Sequence, residues 1–174
     1  MAKYILPGVD YGRDLNAYIP NAPSFQYWEF VSSELAVRHG IANIPTEEEW
    51  KKIEIYAVNI AQPLRNKCGK IRISSGFRCK ALNKLVGSSD TSFHLTGGGC
   101  DLEPLECTLM ELLEAAYLLH FSEIIAEFFP YGWVHVGYLK GDDRKMLKLK
   151  DPTHNYTRIT IEELRKLYPN AKVA

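Results

Sequence analysis

The sequence predicts an α+β fold, in which a single domain contains an antiparallel sheet flanked by helices. Three observations support this prediction. Apolar residues recur at helical spacing in several stretches, apolar and polar residues alternate in shorter ones, and neither an internal repeat nor a linker divides the chain. The 174 residues suffice for one domain with a substantial core, and the hydrophobic fraction of 46% is typical of globular proteins.

The N-terminal segment differs in composition from the rest of the chain. Residues 1–24 are rich in Pro, Gly, Asn and Tyr and show no periodicity, so we predict an irregular N-terminal arm there and the folded domain over residues 25–174. From Phe25 the spacing becomes helical, and Gly40 is placed to end this first helix.

Three further helices are predicted to begin at a capping box, a threonine followed three residues later by a glutamate. The helix that starts at the first box has a long apolar stripe, and Pro63 near its end should kink or end it. A short helix is also predicted over residues 79–85. The three boxes are Thr46 with Glu49, Thr108 with Glu111, and Thr160 with Glu163.

Strands are predicted where apolar and polar residues alternate. Two of them form a predicted hairpin around residues 130–132, and the last, in which lysines alternate with Leu147 and Leu149, is predicted to be an edge strand. The predicted strands are residues 71–74, 100–102, 123–128, 133–139 and 147–149.

Charge and hydropathy argue against two classes of partner. With 21 basic and 21 acidic residues the formal net charge is zero, so nothing predicts electrostatic binding of nucleic acid or of an anionic membrane. No apolar run reaches the length of a membrane span, and the N-terminus lacks the apolar stretch of a secretory signal. We therefore expect a monomer that is made in the cytoplasm without a signal peptide.

The cysteines are widely and irregularly spaced. Because no C-x-x-C pair occurs, a zinc knuckle is disfavoured, and without a secretory signal disulfides are disfavoured as well. We predict that they are small buried thiols. The four residues are Cys68, Cys79, Cys100 and Cys107.

The clearest chemical signal lies in one histidine–aspartate segment and one later histidine. His94 precedes Asp101 by seven residues, and the glycines at 97–99 allow the backbone to fold back so that both side chains reach one point. His135 alternates with apolar neighbours and projects from one face of a predicted strand. Two imidazoles and a carboxylate suffice for catalytic zinc, although structural histidine–aspartate pairs have similar spacing, so the residues alone leave both interpretations open.

These motifs resemble the zinc D-Ala-D-Ala carboxypeptidase family, which belongs to a wider group with lysostaphin-type enzymes and the hedgehog signalling domain. The resemblance covers about residues 25–138 with the order of elements intact. It is carried by Ser92-x-His94-x-x-Gly97-x-x-x-Asp101, Trp133-x-His135, Ile73-Ser74-Ser75-Gly76-Phe77-Arg78, Ala81-Leu82-Asn83-Lys84-Leu85-Val86-Gly87 and Gln62-Pro63-Leu64-Arg65.

The resemblance implies roles for individual residues. His94, Asp101 and His135 would hold one zinc ion per chain. Arg78 would bind a carboxylate or carbonyl of the substrate, since its planar guanidinium makes two charge-assisted hydrogen bonds at once, although a surface salt bridge is the alternative. Ser92 would donate a hydrogen bond to the substrate or instead cap its own loop.

The predicted hairpin supplies a candidate general base. If its strands pair tightly around residues 130–132, Glu127 lies opposite His135, and its carboxylate reaches a water on the metal. The resemblance supports this choice, because a glutamate often precedes the Trp-x-His strand in the family. Some members have a histidine at the position of Trp133 or the acidic base at that of Gly132, so these departures also favour Glu127. Otherwise Glu127 would orient His135, or a different register would remove it from the site.

The predicted function is zinc-dependent hydrolysis of peptide bonds in peptidoglycan stem peptides, by a D-Ala-D-Ala carboxypeptidase or an L-Ala-D-Glu endopeptidase. A small chain without a wall-binding domain is typical of a phage or prophage enzyme that acts on the cell wall after release at lysis. The alternative is a non-catalytic zinc-containing module that binds the wall or belongs to a phage particle. Arg78 and Glu127 favour catalysis, because structural zinc needs neither.

Overall fold

The computed structural model describes residues 4–142 and 144–169. A π-helical turn (Ala57–Ala61) and a 3-10 turn (Phe93–Thr96) accompany the helices and strands. Their order is β1 (Tyr18–Ile19), β2 (Ala22–Gln26), α1 (Tyr27–Val31), α2 (Glu34–Arg38), α3 (Glu47–Tyr56), α4 (Gln62–Cys68), β3 (Ile71–Ser75), α5 (Lys80–Leu85), β4 (Gly99–Pro104), α6 (Leu109–Tyr117), β5 (Glu123–Glu127), β6 (Trp133–Gly137), β7 (Met146–Lys150), β8 (Tyr156–Arg158) and α7 (Ile161–Leu167).

The chain divides into two compact units, each continuous in space but not in sequence. The first comprises Met1–Gln62 and Ser75–Cys100, and the second comprises Pro63–Ser74 and Asp101–Ala174. Within the described residues, no helix is long and apolar enough to cross a membrane. The boundary predicted at residue 25 between arm and domain stays a prediction.

The first unit is built around buried aromatic side chains. Tyr27 and Trp50 pack edge to face with ring centroids 5.4 Å apart, and Trp50 and Tyr56 are almost completely buried. The single helix expected from Phe25 to Gly40 is instead two short helices, α1 and α2, because Ser33 caps a new helix by accepting a hydrogen bond from the backbone of Ala36. The hairpin β1–β2 begins within the segment expected to be irregular.

All three predicted capping boxes are present, at the N-termini of α3, α6 and α7. Pro63 does not end the predicted long helix, which continues as α4 after the π-helical turn. A proline cannot donate the intrahelical hydrogen bond and crowds the preceding turn, and a π turn is a common place for a helix to absorb such a defect.

The second unit contains a six-stranded sheet with the order β3-β4-β6-β5-β7-β8. The α+β class is confirmed, but the expectation of a purely antiparallel sheet is wrong, since β5 pairs antiparallel with β6 and parallel with β7. The prediction that β7 is an edge strand is also wrong, because β7 lies between β5 and β8. The lysines of β7 resemble an edge signal in sequence, yet they face carboxylates of β5.

The central strands separate an apolar face from a polar one. Ile124 pairs with Val136 and Ala126 with Val134; these four side chains are fully buried on the face that packs against α6. Because side chains alternate along a strand, His135 and Glu127 share the opposite face.

The β5–β6 register differs by two residues from the prediction. Trp133 lies opposite Glu127 rather than Phe129, and His135 lies opposite Ile125 rather than Glu127. The cause is a wider turn, in which Phe128 has a positive φ of 50° and its carbonyl accepts hydrogen bonds from the backbone of Tyr131 and Gly132. Strand β5 therefore ends at Glu127.

Gly132 is required by this turn, and its replacement tests the register. A Cβ at this position would lie 1.9 Å from the carbonyl oxygen of Glu127, a backbone atom that cannot move without breaking the turn. We expect Gly132→Ala to lower the free energy of unfolding by about 2 kcal/mol or more in urea titrations.

Gly87→Ala is the matched control for this substitution. Gly87 has a φ of 68° but no atom within 4 Å of the added Cβ, so only backbone strain opposes the change. A cost of about 1 kcal/mol is expected there. Equal losses in the two variants would contradict the close approach at Gly132.

Candidate metal centre

His94 lies in a 3-10 turn of the first unit that the local sequence defines at both ends. The Ser92 hydroxyl accepts a hydrogen bond from the His94 backbone at the start of the turn, and Gly97, with a φ of 77°, ends it. Of the three glycines expected to fold the chain back, Gly97 alone has a positive φ. Its α-carbon packs so closely on α3 that a Cβ would lie 2.8 Å from the Glu49 carbonyl oxygen.

The His94 ring is held by the backbone of the segment that contains Arg78. Nδ1 lies 2.6 Å from the carbonyl oxygen of Gly76. A carbonyl only accepts hydrogen bonds, so in the neutral ring Nδ1 carries the proton and Nε2 is the basic nitrogen. A backbone carbonyl on the other ring nitrogen is the usual way to orient a metal-binding histidine.

Gly76 can occupy this position because it has no side chain. A Cβ there would lie 2.3 Å from the carbonyl oxygen of Phe30, which accepts a hydrogen bond from the backbone N–H of Phe77. The close approach fixes the Gly76 carbonyl, and this carbonyl in turn fixes His94.

Asp101 and His135 come from the neighbouring strands β4 and β6. Their Oδ1 and Nδ1 atoms are 2.9 Å apart, and both residues are buried, with exposed fractions of 8% for Asp101 and 4% for His135. The alternation expected for the His135 strand is confirmed, since Val134 and Val136 on either side are fully buried on the opposite face.

His94, Asp101 and His135 form the group that could hold a metal ion. Each offers one ligand atom, and these atoms all lie within 4.8 Å of one another. Two imidazoles and one carboxylate are the donor set of catalytic zinc, and the orientation of His94 by a carbonyl suits a ligand, so the residues fit this ion. The other described histidines, His39, His120 and His154, are exposed, as expected for residues outside the site.

Arg78 is anchored to the segment that carries His94. Its backbone N–H donates to the carbonyl oxygen of His94, and its side chain is half-buried. This places the backbone of the predicted substrate-binding residue beside a predicted ligand. The Ser92 contact described above corresponds to the local capping role, while a role in substrate binding stays a prediction.

Asn43 fixes the Arg78 segment and was not singled out from the sequence. Its buried amide donates to the carbonyls of Val31 and Phe77 and accepts from the backbone of Cys79. Three hydrogen bonds from one buried side chain hold both neighbours of Arg78 in place. An asparagine between two predicted helices gives no sign of such distant partners.

Glu127 forms an ion pair that the sequence did not reveal. Its carboxylate accepts a hydrogen bond from Lys150 Nζ at 2.8 Å, and the exposed side-chain fractions are 10% and 16%. Strand β5 lies between β6 and β7, so Glu127 faces Trp133 on one side and Lys150 on the other. Glu127 shares the face of His135 but lies diagonal to it, not opposite as predicted.

Lys150 is held in its charged form. Burial acts to lower its pKa, but hydrogen bonds to Glu127 and Tyr156 outweigh burial, so the pKa of Lys150 is raised above its ordinary value. The ammonium also lies 5.4 Å from the ring centroid of Phe128 and 5.2 Å from that of Tyr156. A fixed positive charge therefore lies beside the predicted base.

The histidine–aspartate–histidine group has the donor set of a zinc metallopeptidase. Residues 23–137 match the Peptidase M15 family, and the chain belongs to this family. The match begins and ends close to the limits of the resemblance inferred from the motifs. A comparison with individually curated proteins found no match.

Family membership establishes the chemistry at a coarse level. Peptidases of this family are zinc-dependent hydrolases that act on peptidoglycan-like substrates, so a peptide is the implied substrate. The residue roles, the bond cleaved and the biological setting go beyond this level.

We predict one zinc ion per chain, held by the group described above. Metal analysis of protein purified without added zinc should show it, and the double variant His94→Ala/His135→Ala should lose it, because two of three protein ligands are gone. The zinc-loaded wild type should also melt at a higher temperature than the metal-free form, since the ion binds only the folded site.

His120→Ala is the control for this measurement. The residue is an exposed histidine outside the group, so its loss should leave zinc content unchanged. Full zinc occupancy in the double variant would refute the assignment of these ligands.

Proposed function

We propose that this protein hydrolyses peptide bonds in peptidoglycan stem peptides with a zinc ion held by His94, Asp101 and His135. The observation that carries the proposal is the buried group of two imidazoles and a carboxylate in a chain of the Peptidase M15 family. Bound zinc supplies a Lewis acid and makes hydroxide available from water at neutral pH.

Glu127 is the proposed general base. Glu127 lies diagonal to His135 on the polar face, and cross-strand diagonal neighbours are about 7–8 Å apart at the backbone. This register supports the proposal that its carboxylate reaches a water near the ligands. It takes the proton from the attacking water and delivers it to the leaving amine. Lys150 acts as a positioning residue, because its hydrogen bond fixes the carboxylate.

Arg78 is the proposed binding residue for the substrate. Its backbone contact with the His94 carbonyl and the clamp from Asn43 hold its segment in one position. A guanidinium held there can grip a carboxylate or carbonyl of the peptide with two parallel hydrogen bonds. Ser92, two residues before His94, is the second proposed contact to the substrate.

The bond cleaved is D-Ala-D-Ala, by a carboxypeptidase, or L-Ala-D-Glu, by an endopeptidase. Incubation of purified cell walls with the protein, followed by mass spectrometry of the released muropeptides, distinguishes these two products. The proposed setting is cell-wall lysis by a phage or prophage after release of the enzyme. Zinc-loaded protein that binds walls but releases no new amino or carboxyl group would instead identify a non-catalytic wall-binding or phage structural module.

Replacing Arg78 tests its role in binding. We expect Arg78→Lys to retain zinc and thermal stability but to lose most activity on cell walls, because lysine keeps the charge and cannot make two parallel hydrogen bonds. Arg72→Lys is the control, since Arg72 is an exposed arginine paired with Glu103 outside the proposed site. Wild-type activity in Arg78→Lys would show that this residue only supports the fold.

Replacing Glu127 separates catalysis from structure. A glutamine has nearly the same shape but cannot accept the proton, so Glu127→Gln should keep its zinc and lose roughly two to four orders of magnitude in turnover. If Glu127 instead served to orient His135, zinc affinity would fall about 10–100-fold together with the rate. Zinc content and hydrolysis are measured on the same preparation.

Lys150→Met is the matched control for Glu127→Gln, because it breaks the same ion pair from the other side. Both variants should lower the melting temperature, since each leaves one partner of a largely buried pair alone. Under conditions where both are folded, Lys150→Met should retain far more activity than Glu127→Gln. Equal rates in the two variants would show that Glu127 matters only through its ion pair.

A further inference from the structure

Two segments of the second unit run side by side in a constant antiparallel register. The Ser74 hydroxyl donates to the carbonyl of Asp101, Arg72 pairs with Glu103, and the backbone N–H of Leu105 donates to the carbonyl of Lys70 at 2.8 Å. A move of two residues towards the N-terminus of β3 therefore corresponds to a move of two residues towards the C-terminus of β4, as expected for antiparallel segments. The pairing continues beyond both strands, because the backbone N–H of Lys70 donates to the carboxylate of Glu106.

One further step beyond the strands leads to Cys68, the last residue of α4, and to Cys107. The two segments remain in contact here, since a Cβ on Gly69 would lie 2.9 Å from the Cβ of Glu106. Both are free cysteines, and their side chains lie close enough for each to shift the pKa of the other. A disulfide requires α-carbons about 4.4–6.8 Å apart, and the contact between their neighbours Gly69 and Glu106 brings the two cysteines close together.

A small molecule can reach this pair. Both cysteines line a cavity of about 570 Å³, together with Lys67, Glu111 and Arg165. Cys107 is half-buried and the more accessible of the two, while Cys68 has an exposed fraction of 6%. The cavity volume falls within the usual range for small-molecule pockets.

We propose that Cys68 and Cys107 are a dithiol site that forms an internal disulfide by exchange with a small disulfide such as oxidised glutathione. The Cys107 thiolate attacks one glutathione sulfur, forming a mixed disulfide and releasing one glutathione thiolate. The Cys68 thiolate then attacks the Cys107 sulfur of the mixed disulfide and releases the second glutathione. The protein loses two protons and two electrons, and the oxidant becomes two molecules of reduced glutathione.

Burial sets the rate of this exchange and the stability of its product. It raises the pKa of the Cys68 thiol, and it is the main cause that raises the pKa of Cys107 to about 12. Few thiolates are therefore present at neutral pH, so oxidation is slow at pH 7 and faster at pH 9. Thiols of high pKa are also poor leaving groups, which makes the disulfide slow to reduce once formed.

The cross-link would close a loop of about 40 residues that contains Arg78, His94 and Asp101. Such a loop restricts the unfolded chain and raises the melting temperature by roughly 5–10 °C for a protein of this size. The inference does not depend on the proposed peptidase activity, because thiol counts and melting temperatures are measured without substrate.

The test is incubation of the full chain with oxidised glutathione at pH 8.5, followed by intact mass and peptide mapping. We expect a loss of two hydrogens, no retained glutathione, and a linked peptide that joins Cys68 to Cys107. The oxidised protein should melt roughly 5–10 °C above the reduced one. Cys79→Ser is the control and should behave in the same way, since Cys79 belongs to the other unit.

Cys68→Ser prevents only the second step of the exchange, in which Cys68 attacks the mixed disulfide on Cys107. This variant should stop at a stable glutathione adduct on Cys107 and show no rise in melting temperature. In the wild type, a persistent adduct, a link that involves Cys79 or Cys100, or four unreacted thiols would each overturn the proposal. If Cys68→Ser fails to fold, peptide mapping of the wild type and of Cys79→Ser still decides the question.

Discussion

The alternation of side chains along β5 and β6 is the constraint on which both the core and the site depend. Val134 and Val136 face α6 and close the apolar core, so His135 between them can only project from the opposite face. The same rule places Glu127 on the face of His135. A register error of one residue would put these polar groups into the core, whereas a shift of two keeps the face and changes only the distance between partners.

The polar face carries charges that are largely removed from water. Lys150 and Glu127 have exposed side-chain fractions of 16% and 10% and lie next to Phe128 and Tyr156. Removing such a pair from water costs free energy that its attraction only partly offsets, and apolar residues at buried positions are often at least as stabilising. Stability alone therefore gives little reason for a lysine and a glutamate here. This supports the proposed roles of Glu127 as general base and Lys150 as the residue that positions it.

The sequence was sufficient for those features that are encoded locally. The capping boxes and the strand that carries His135 follow from neighbouring residues, whereas the grouping of the three proposed ligands came from the family resemblance. Features that depend on distant partners were missed or misjudged. The lysines of β7 suggest an exposed edge until the carboxylates of β5 are known, and nothing near Asn43 indicates that it holds the segment of Arg78.

The proximity of two cysteines was likewise not predictable from the sequence. The spacing along the chain, which contains no C-x-x-C pair, argued against a zinc knuckle and gave no sign of which cysteines lie close together. Proximity in the fold is set instead by the register of β3 with β4, and that register brings Cys68 and Cys107 together just beyond the ends of the strands. The pairing of β3 with β4 aligns the two thiols, whereas Asp101 lies beside His135 because β4 also neighbours β6. Strand β4 thus carries Asp101, a proposed metal ligand, and leads to Cys107, one half of the proposed dithiol site.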